Sequence, residues 1–558
     1  MTRMIAPDRR TFMKGAAAAA TTAFAAVQCG TAAADGSVDE KDTKGIKSWL
    51  GEEPAVGEPS QVLDYDVVVV GAGTGGWFAA CSAAEEGVRT LLIEKTELGA
   101  DVRGDLGAVN TRYQQEDGCV IDEQEMLFDM YRFSSGNSSH ALHRTWFENS
   151  GEAVDWYGSI LEADGITLWH ELATENPEKV SLARHWPTGH SPEFVADAEG
   201  NKPSGKTVLE AYYTGQGGEV MYETTMTRLA HDPDGSVTGV YAQNSAGELL
   251  QINASKGVIL ATGGYGRNEE MLAALQPETL GLYSLSIAKQ GATGDGIRAA
   301  LWAGAAMDAT HTSMLFDRCA IAADATTADG TGGSFFNMGS YPWLKVNLDG
   351  NRFANEGSGV YDWFMHAGAS QPYGTYCTIW DADWVSAAEK ADMHGCCRFF
   401  PYENGAPANE TVESITAQNQ NLLESGVIQQ ADTLEELAEK LGIPAENFVA
   451  TVERYNTFAE TGVDEDFGKE WFRMATVSTP PFYGVRNAGI MLCTLDGIRI
   501  DTDMRALRAD GSVIEGLYVV GNDSGCYYSG SYINTSTGNA AGRTLTFGRR
   551  AGKNAAKR

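Results

Sequence analysis

The fold of this chain is restricted above all by one strand–turn–helix–strand segment that begins near residue 65. Residues 65–70 read Tyr-Asp-Val-Val-Val-Val, a short apolar run typical of a strand buried on both faces of a parallel sheet. The glycine-rich run Gly71–Gly76 follows, and residues 77–86 are rich in alanine, as expected of a helix. A second apolar run ends at Glu94. These parts make a complete βαβ unit and predict a Rossmann-like domain.

The spacing of the glycines in this unit predicts a dinucleotide site. Gly71 would allow the tight turn, Gly73 would let a pyrophosphate approach the backbone, and Gly76 would let the helix pack on the strand. The pyrophosphate would lie at the positive N-terminus of that helix. Glu94 follows Gly71 by 23 residues, near the expected ~20, and would accept the adenosine ribose hydroxyls. A purely structural glycine turn is the alternative. The predicted contacts of this unit are Gly71, Gly73, Thr74, Gly75, Gly76, Glu94 and Lys95.

The charge of the chain excludes whole classes of partner. It has 558 residues, of which 43% are hydrophobic and 21% charged, an ordinary globular composition for a chain of two or more domains. Acidic residues outnumber basic ones by 75 to 41, a formal net charge of −34. Such a surface repels nucleic acid and anionic lipid, so neither is a predicted partner, and cationic partners are favoured instead.

The first 34 residues are predicted to be an export signal rather than part of the fold. Arg9 and Arg10 are adjacent and precede a mildly apolar stretch, residues 15–26, which resembles a twin-arginine (Tat) signal. That stretch is too short for a transmembrane helix, which needs about 18 or more apolar residues. Cleavage after Ala34 would leave a soluble protein in the periplasm or on the outer face of the cell envelope. The alternatives are a lipid anchor at Cys29 and a disordered cytoplasmic arm. Because the Tat route carries folded proteins, it predicts a tightly bound cofactor.

The cysteines give no strong metal signal. There are nine of them, and none falls in a Cys-x-x-Cys motif. Cys396 and Cys397 are adjacent and lie near His394, so they could contribute to a metal or iron–sulfur site. Buried thiols are the favoured interpretation, and no metal ligand is predicted.

The remaining chain is predicted to leave a nucleotide-binding domain, build a second domain and return. Apolar runs at residues 257–260 and 516–521 look like further strands of the first domain, whereas the block between them has a different, aromatic-rich character. A cleft between two such domains is where ligands prefer to bind. The predicted divisions are residues 1–34 (signal), 35–60 (linker), 61–283 (first domain, first part), 284–479 (second domain) and 480–558 (first domain, second part).

Several motifs in the same order along the chain resemble those of the fumarate reductase/3-ketosteroid dehydrogenase family of flavoproteins. They are the βαβ unit and residues 261–266, 293–296, 347–356, 481–483, 494–498 and 516–518. The resemblance covers residues 61–556. It implies an α/β fold in which a Rossmann-like FAD-binding domain carries an inserted α+β capping (substrate) domain, and it implies one tightly held FAD.

The resemblance also implies which further residues contact FAD. Residues 105–107 would line the path from the adenosine to the isoalloxazine, Gly263 and Gly264 would touch the diphosphate region, and Gly521-Asn522 would meet the ribityl chain. A helix starting near Gly538 would point its positive N-terminus at the flavin pyrimidine edge. The implied contacts outside the βαβ unit are Asp105, Leu106, Gly107, Ala261, Thr262, Gly263, Asp295, Gly521, Asn522, Gly538 and Asn539.

This chain departs from the fumarate reductases of the family where they hold the dicarboxylate. Cys493 stands in place of a histidine, and Asn534-Thr535 in place of an arginine. Val360 or Tyr361 stands where the family has its proton-donating arginine. Each lost cation removes a carboxylate contact of about 1.5–3 kcal/mol, so fumarate is predicted to be a poor substrate.

Aromatic residues occupy the segments that the family folds around the flavin, which suits a planar, weakly charged substrate. They are Phe335, Phe336, Tyr341, Trp343, Tyr361, Trp363, Phe364, Tyr527, Tyr528 and Tyr532. The predicted substrate contacts are Tyr341, Trp343, Glu356, Tyr528 and Ser531.

The predicted reaction is the two-electron reduction of an activated C=C bond in a planar enone or aromatic molecule. Tyr532 would hold the carbonyl, as the resemblance to ketosteroid enzymes implies, and Tyr361 would protonate the α-carbon. The electrons would come from an external donor, a basic cytochrome or a membrane donor, as in anaerobic respiration. Two alternatives remain: desaturation of a ketosteroid-like substrate, and a flavin redox protein without catalysis.

Overall fold

Strands and helices alternate through most of the molecule. The computed structural model describes residues 49–558 except 173–178, 180, 182–183, 198–199, 331 and 359–361, so the predicted signal and most of the predicted linker lie outside the described residues. The strands are β1 Gln61–Val70, β2 Thr90–Ile93, β3 Leu106–Gly107, β4 Thr167–His170, β5 Gly189–Glu193, β6 Glu219–Met221, β7 Thr225–His231, β8 Val237–Gln243, β9 Leu249–Leu260, β10 Tyr283–Ser286, β11 Ser313–Ile321, β12 Ser334–Phe335, β13 Leu344–Val346, β14 Tyr376–Trp380, β15 Gln429–Ala431, β16 Phe482–Thr494, β17 Arg505–Leu507 and β18 Val513–Val519. The helices are α1 Thr74–Glu85, α2 Arg112–Glu116, α3 Glu123–Phe133, α4 His140–Ala163, α5 Gly205–Gly215, α6 Glu269–Leu275, α7 Asp295–Trp302, α8 Asp362–His366, α9 Trp384–Lys390, α10 Val412–Glu424, α11 Leu434–Leu441, α12 Ala445–Thr461 and α13 Asn539–Lys557.

The first sheet has a parallel centre, in the order β18-β9-β1-β2-β6. Val67, Val68 and Val69 of β1 are fully buried, because helices and other strands cover both faces of the sheet. An antiparallel hairpin, β7-β8, joins β9 at one side. The predicted βαβ unit is therefore present as β1, α1 and β2.

The last helix packs against the first. A β-carbon at Gly548 of α13 would come within 2.7 Å of the carbonyl oxygen of Gly75, and one at Gly552 would overlap the carbonyl of Ala79. Only glycine lets the two backbones approach this closely. The chain thus returns to the domain in which it began, and α13 becomes part of the same wall as α1.

The second sheet is mixed and is built around β16. Its order is β12-β11-β16-β14-β13, with β10 and β15 also paired to β16. The prediction placed residue 480 onward in the first domain, but β16 is hydrogen-bonded to β11 on one side and to β14 on the other, both strands of the second sheet. By hydrogen bonding, the chain returns to the first sheet only after Thr494. The exact division into domains stays a prediction.

A small third sheet, in the order β3-β5-β4, lies where the two larger units meet. Its strand β3 joins the start of α13, since Gly107 N–H donates to the carbonyl of Gly538 at 2.8 Å. The predicted fold class, a Rossmann-like α/β domain with an inserted capping domain, is confirmed by this arrangement and by the family comparison below.

Candidate cofactor and active site

A cavity of about 720 Å³ opens at the carboxyl ends of the parallel strands. The residues that follow β1, β2, β9 and β18 line it, which is where open α/β sheets bind their ligands. Fourteen predicted cofactor contacts line this cavity: Gly71, Gly73, Thr74, Gly75, Glu94, Lys95, Asp105, Ala261, Thr262, Gly263, Asp295, Gly521, Asn522 and Gly538.

Four predicted contacts do not line the cavity: Gly76, Leu106, Gly107 and Asn539. All four are buried behind its wall, where they set the shape of the site rather than touch a ligand. Gly76 packs against the carbonyl of Gly71, and β3 packs against the start of α13. These positions were singled out because motif residues that shape a turn and residues that contact a ligand look alike in a sequence.

Glu94 is held ready by its neighbours at the end of β2. Its carboxylate accepts hydrogen bonds from Ala72 N–H and from both the N–H and the hydroxyl of Thr96, each at 2.8 Å. The side chain is 9% exposed. Lys95 does not point at this carboxylate, because its ammonium group is bound to Asp295 Oδ2 at 2.7 Å. Lys95 would therefore not compete with a ribose for Glu94.

Two helix N-termini face the cavity without a capping side chain. Helix α1 begins after Gly73 and α13 begins after Gly538, and neither has a side-chain cap or an acidic residue in its first turn. Free N–H groups at a helix start attract anions. One site is thus available for a pyrophosphate, and a second positive helix end lies farther along the cavity.

The residues present fit FAD. A β-carbon at Gly73 would meet nothing within 4 Å, so the space in front of α1 is open, and Gly263 is similarly uncrowded. A cavity of about 720 Å³ also falls within the usual range for cofactor sites.

Asp523 joins two walls of the cavity and was missed by the sequence analysis. The fully buried carboxylate accepts hydrogen bonds from Gly264 N–H at 2.8 Å, from Thr262 N–H and from the Thr262 hydroxyl. Burial raises its pKa above the ordinary value, although these three bonds oppose the shift. The carboxylate ties the loop after β18 to the loop after β9.

The far part of the cavity contains side chains that the motifs did not indicate. They are Arg184, His185, Met393, His394, Cys397 and Arg473, together with the predicted Tyr532 and the substituted Cys493. His394 entered the sequence analysis only as a neighbour of the cysteine pair. Nothing in the sequence shows that two loops of the capping domain, near residues 394 and 473, reach the same cavity.

Most of the predicted aromatic wall lies away from the cavity lining in the part of the chain that the structure describes. Of the predicted aromatic residues described, Tyr532 lines the cavity and the others do not. Tyr341 stacks on Phe399 and Trp343 inside the capping domain, because large apolar rings there gain more from packing with one another. Tyr361 lies outside the described residues.

The remaining predicted substrate contacts also lie elsewhere. Glu356 is in a buried ion network with Arg352 and Lys469, Tyr528 is 1% exposed beneath Arg543, and Ser531 is not among the cavity residues. The loss of the family's arginines predicted a cavity with few cations. Arg184 and Arg473 nevertheless border it.

A metal site and a membrane-spanning helix are both absent from the described residues. No group of three or more His, Cys, Asp and Glu side chains among them is placed to hold a metal ion. None of their helices combines the length and the apolar character needed to cross a membrane.

Known proteins match this chain over most of its length. The sequence profile of the FAD binding domain family matches residues 66–538. The chain is 28% identical to the vinyl phenol reductase of Lactiplantibacillus plantarum over 508 residues, 88% of this chain and 96% of that protein. It is 32% identical to the 3-oxosteroid 1-dehydrogenase of Mycobacterium tuberculosis over 620 aligned positions, 87% of this chain and 97% of that protein.

A solved structure has the same fold. The open conformation of a flavocytochrome c3 fumarate reductase superposes with a TM-score of 0.63 at 25% identity, covering 92% of this chain and 82% of that one. Three observations indicate FAD as the cofactor. They are the family match, the open space in front of α1 and the hydrogen-bonded carboxylate of Glu94. The chain belongs to the FAD binding domain family and is an FAD-dependent oxidoreductase that acts on CH–CH or C=C groups.

Proposed function

We propose that this protein reduces an activated C=C bond in a planar small molecule of enone or aromatic type. One observation carries the proposal: the cavity bordered by the starts of α1 and α13 is also lined by Tyr532, Cys493 and His394. By the family resemblance, a substrate there would lie beside the flavin ring. The names of the vinyl phenol reductase and the 3-oxosteroid 1-dehydrogenase support a planar substrate.

The residues of this chain would hold the substrate and manage its charge. Bound FAD supplies a hydride to one carbon of the double bond. Tyr532 is 5% exposed, so its hydroxyl would donate to the substrate carbonyl where little water competes. The N-terminus of α13 would stabilise negative charge next to it. The other carbon must gain a proton, and Tyr361 is the donor that the sequence predicts for it.

The reverse reaction is the second candidate. Desaturation of a ketosteroid-like substrate would use the same cavity and the same two tyrosines, with Tyr361 accepting the proton. The 32% identity to a 3-oxosteroid 1-dehydrogenase favours it. Which direction operates depends on the redox partner rather than on the site.

The cellular setting is also a proposal. The Tat-like residues 1–34 would send the folded flavoprotein to the periplasm or the outer face of the envelope. There a cytochrome or membrane donor would supply electrons, as in anaerobic respiration. The excess of 75 acidic over 41 basic residues would favour docking of a basic cytochrome.

Anaerobic reoxidation tests the reaction directly. The dithionite-reduced holoprotein is mixed with enones, cinnamates, urocanate, fumarate and steroids, and the return of the visible flavin absorbance is followed. We expect conjugated enones or arylacrylates to reoxidise it fastest. Reoxidation by fumarate alone would contradict the substrate proposal, and reoxidation by none of them would indicate a redox protein without turnover.

A matched pair of tyrosine variants tests Tyr532. Tyr532→Phe is expected to lower kcat/KM by about 10²-fold, because one hydrogen-bond donor to the developing charge is lost. Tyr528→Phe removes the same atom from a tyrosine whose buried hydroxyl has no partner and does not line the cavity, so its activity should stay within about twofold. Equal losses in the two variants would contradict the role of Tyr532, and FAD content serves as the control for folding.

A further inference from the structure

A compact group of ionisable side chains borders the cavity and has been given no chemical role in the function proposed above. His185 and His394 both line the cavity, and their rings are stacked with centroids 4.3 Å apart and planes 14° apart. Beneath them lies Glu171, which is 6% exposed. Its Oε1 atom lies 3.3 Å from His185 Nε2.

Glu171 is fixed by the backbone and by a tyrosine. Gly189 N–H donates to Oε1 at 3.0 Å, and the Tyr402 hydroxyl donates to Oε2 at 3.1 Å. The same Tyr402 oxygen accepts the N–H of Gly395, the residue after His394, at 3.2 Å. Glu171 therefore lies beside one histidine and is linked through Tyr402 to the residue that follows the other. His185 and His394, with Gly189, outweigh burial and lower the pKa of Glu171 to about 2, so it stays ionised.

The group lies against the start of α13. A β-carbon at Gly395 would come within 2.8 Å of Thr537 Oγ1, and one at Gly189 within 2.7 Å of Thr537 Cγ2. Thr537 precedes Gly538, the residue after which α13 begins. His394 is thus next to the helix start that the resemblance assigns to the flavin. Its Nδ1 atom is buried and has no hydrogen-bond partner in the described structure.

We propose that His394 exchanges a proton with the substrate carbon, and that Glu171 and His185 position it for this role. The inference rests on the proposed function. Reduction turns C=C into CH–CH when one carbon gains the hydride that the cofactor supplies and the other gains a proton. An N–H bond of protonated His394 breaks as the second C–H bond forms. The imidazole is left neutral, the cofactor ends oxidised, and solvent reprotonates the imidazole. In desaturation, neutral His394 accepts the proton instead.

The surroundings of His394 set the expected pH dependence. The charged and titratable groups around it are Glu171, His185, Asp392, Cys397, Arg398, Tyr402 and Arg473. Burial is the main cause that lowers the pKa of His394 well below its ordinary value; His185 and the two arginines add to it, and Glu171 opposes it. The imidazole is therefore mostly neutral at neutral pH. Reduction should speed up as the pH falls below neutrality, and desaturation should speed up as the pH rises.

A phenol in the same role would behave differently. Its reference pKa is about 10, so a tyrosine donor gives a flat rate between about pH 5 and 8. The wild-type pH profile thus separates His394 from Tyr361 without any substitution. The measurement is the single-turnover reoxidation of dithionite-reduced holoprotein by the best acceptor of the panel.

Variants complete the test. His394→Gln is expected to slow single-turnover reoxidation by at least about 10²-fold and to flatten the pH profile, with FAD content unchanged. Glu171→Gln should move the profile to lower pH, because the anion that favours protonated His394 is gone. His231→Gln, on the exposed end of β7, is the matched control and should change neither.

Each outcome bears on one of the two proposals. A reoxidation rate that increases as the pH falls in the wild type, but not in His394→Gln, supports the inference. A flat wild-type profile, or a His394→Gln rate within about threefold of wild type while Tyr361→Phe loses about 10²-fold, overturns it and leaves the proposed function standing. Wild-type protein that no acceptor reoxidises overturns both.

Discussion

Gly73→Ala is expected to produce a folded protein that has lost most of its FAD. Gly73 has extended backbone angles, φ −99° and ψ −167°, which alanine adopts freely, and a β-carbon there meets no protein atom within 4 Å. The methyl group would instead occupy the space in front of the α1 N-terminus, where the pyrophosphate accepts N–H bonds. We expect the FAD-to-protein ratio to fall at least about tenfold, with the stability of the apoprotein within about 1 kcal/mol of wild type.

Gly76→Ala is the contrasting change, three residues further on. A β-carbon at Gly76 would overlap the carbonyl oxygen of Gly71, so the strand and the helix must separate. We expect a loss of about 3 kcal/mol or more in the free energy of unfolding. Gly104→Ala, at an exposed position with nothing within 4 Å, is the control for both. Absorbance gives the FAD ratio, and urea unfolding of the apoprotein gives the stability. Full FAD content in Gly73→Ala would mean that the pyrophosphate does not lie at this turn.

Glu356→Ala is expected to destabilise the capping domain by about 3–5 kcal/mol while leaving KM nearly unchanged. The carboxylate accepts hydrogen bonds from Arg352 Nε and Nη2 at 2.9 and 2.8 Å and lies 3.4 Å from Lys469 Nζ. These three side chains are at most 4% exposed. Without Glu356, Asp464 alone balances two buried cations, which is why the loss exceeds that of a surface pair.

The stabilisation by Glu356 depends on pH, and the direction of the shift in its pKa sets that dependence. Burial alone would raise the pKa of Glu356, but Lys469 and Arg352 outweigh it and hold the pKa below its ordinary value. The stabilisation is therefore present above the ordinary carboxyl pKa and is lost as the pH falls through the lowered value. Glu356→Gln should show a shallower decline in acid. Glu465→Gln, whose side chain is 71% exposed, should change stability by less than about 0.5 kcal/mol.

Urea unfolding at several pH values, with KM measured in parallel, decides between two roles for Glu356. A raised KM with unchanged stability would mean that Glu356 binds substrate, as its motif had indicated. A loss of stability with unchanged KM agrees with the buried ion network. The two outcomes do not overlap, because Glu356, Arg352 and Lys469 are not among the residues that line the cavity.

Local sequence signals predicted the fold well. The βαβ unit, the strand that ends at Leu260 and the strand that ends at Val519 were found because each is a short apolar run bounded by glycines. The cofactor contacts followed, since they sit directly after those strands. The sequence did not show which strands are hydrogen-bonded to each other. The residues of β16 resemble those of a strand of the first sheet, and its pairing with β11 and β14 assigns it to the second sheet.

The substrate end of the cavity could not be predicted from the sequence in the same way. Aromatic residues were assigned to it, but rings bury apolar area equally well in a domain core, and Tyr341 does so. His185 and His394 meet only in three dimensions, and neither belongs to a spaced motif. A buried carboxylate such as Glu171, with its polar partners on two segments that are distant in sequence, is likewise a property of the folded chain.

The position of α13 sets the order in which the working protein can be assembled. Gly538 and Thr544 border the same cavity as Gly71 and Gly75, although they lie at opposite ends of the described chain. During synthesis, the wall that α13 provides is missing until α13 has left the ribosome. A closed flavin site therefore requires this helix to have been made, and any transport in the folded state has to wait for it.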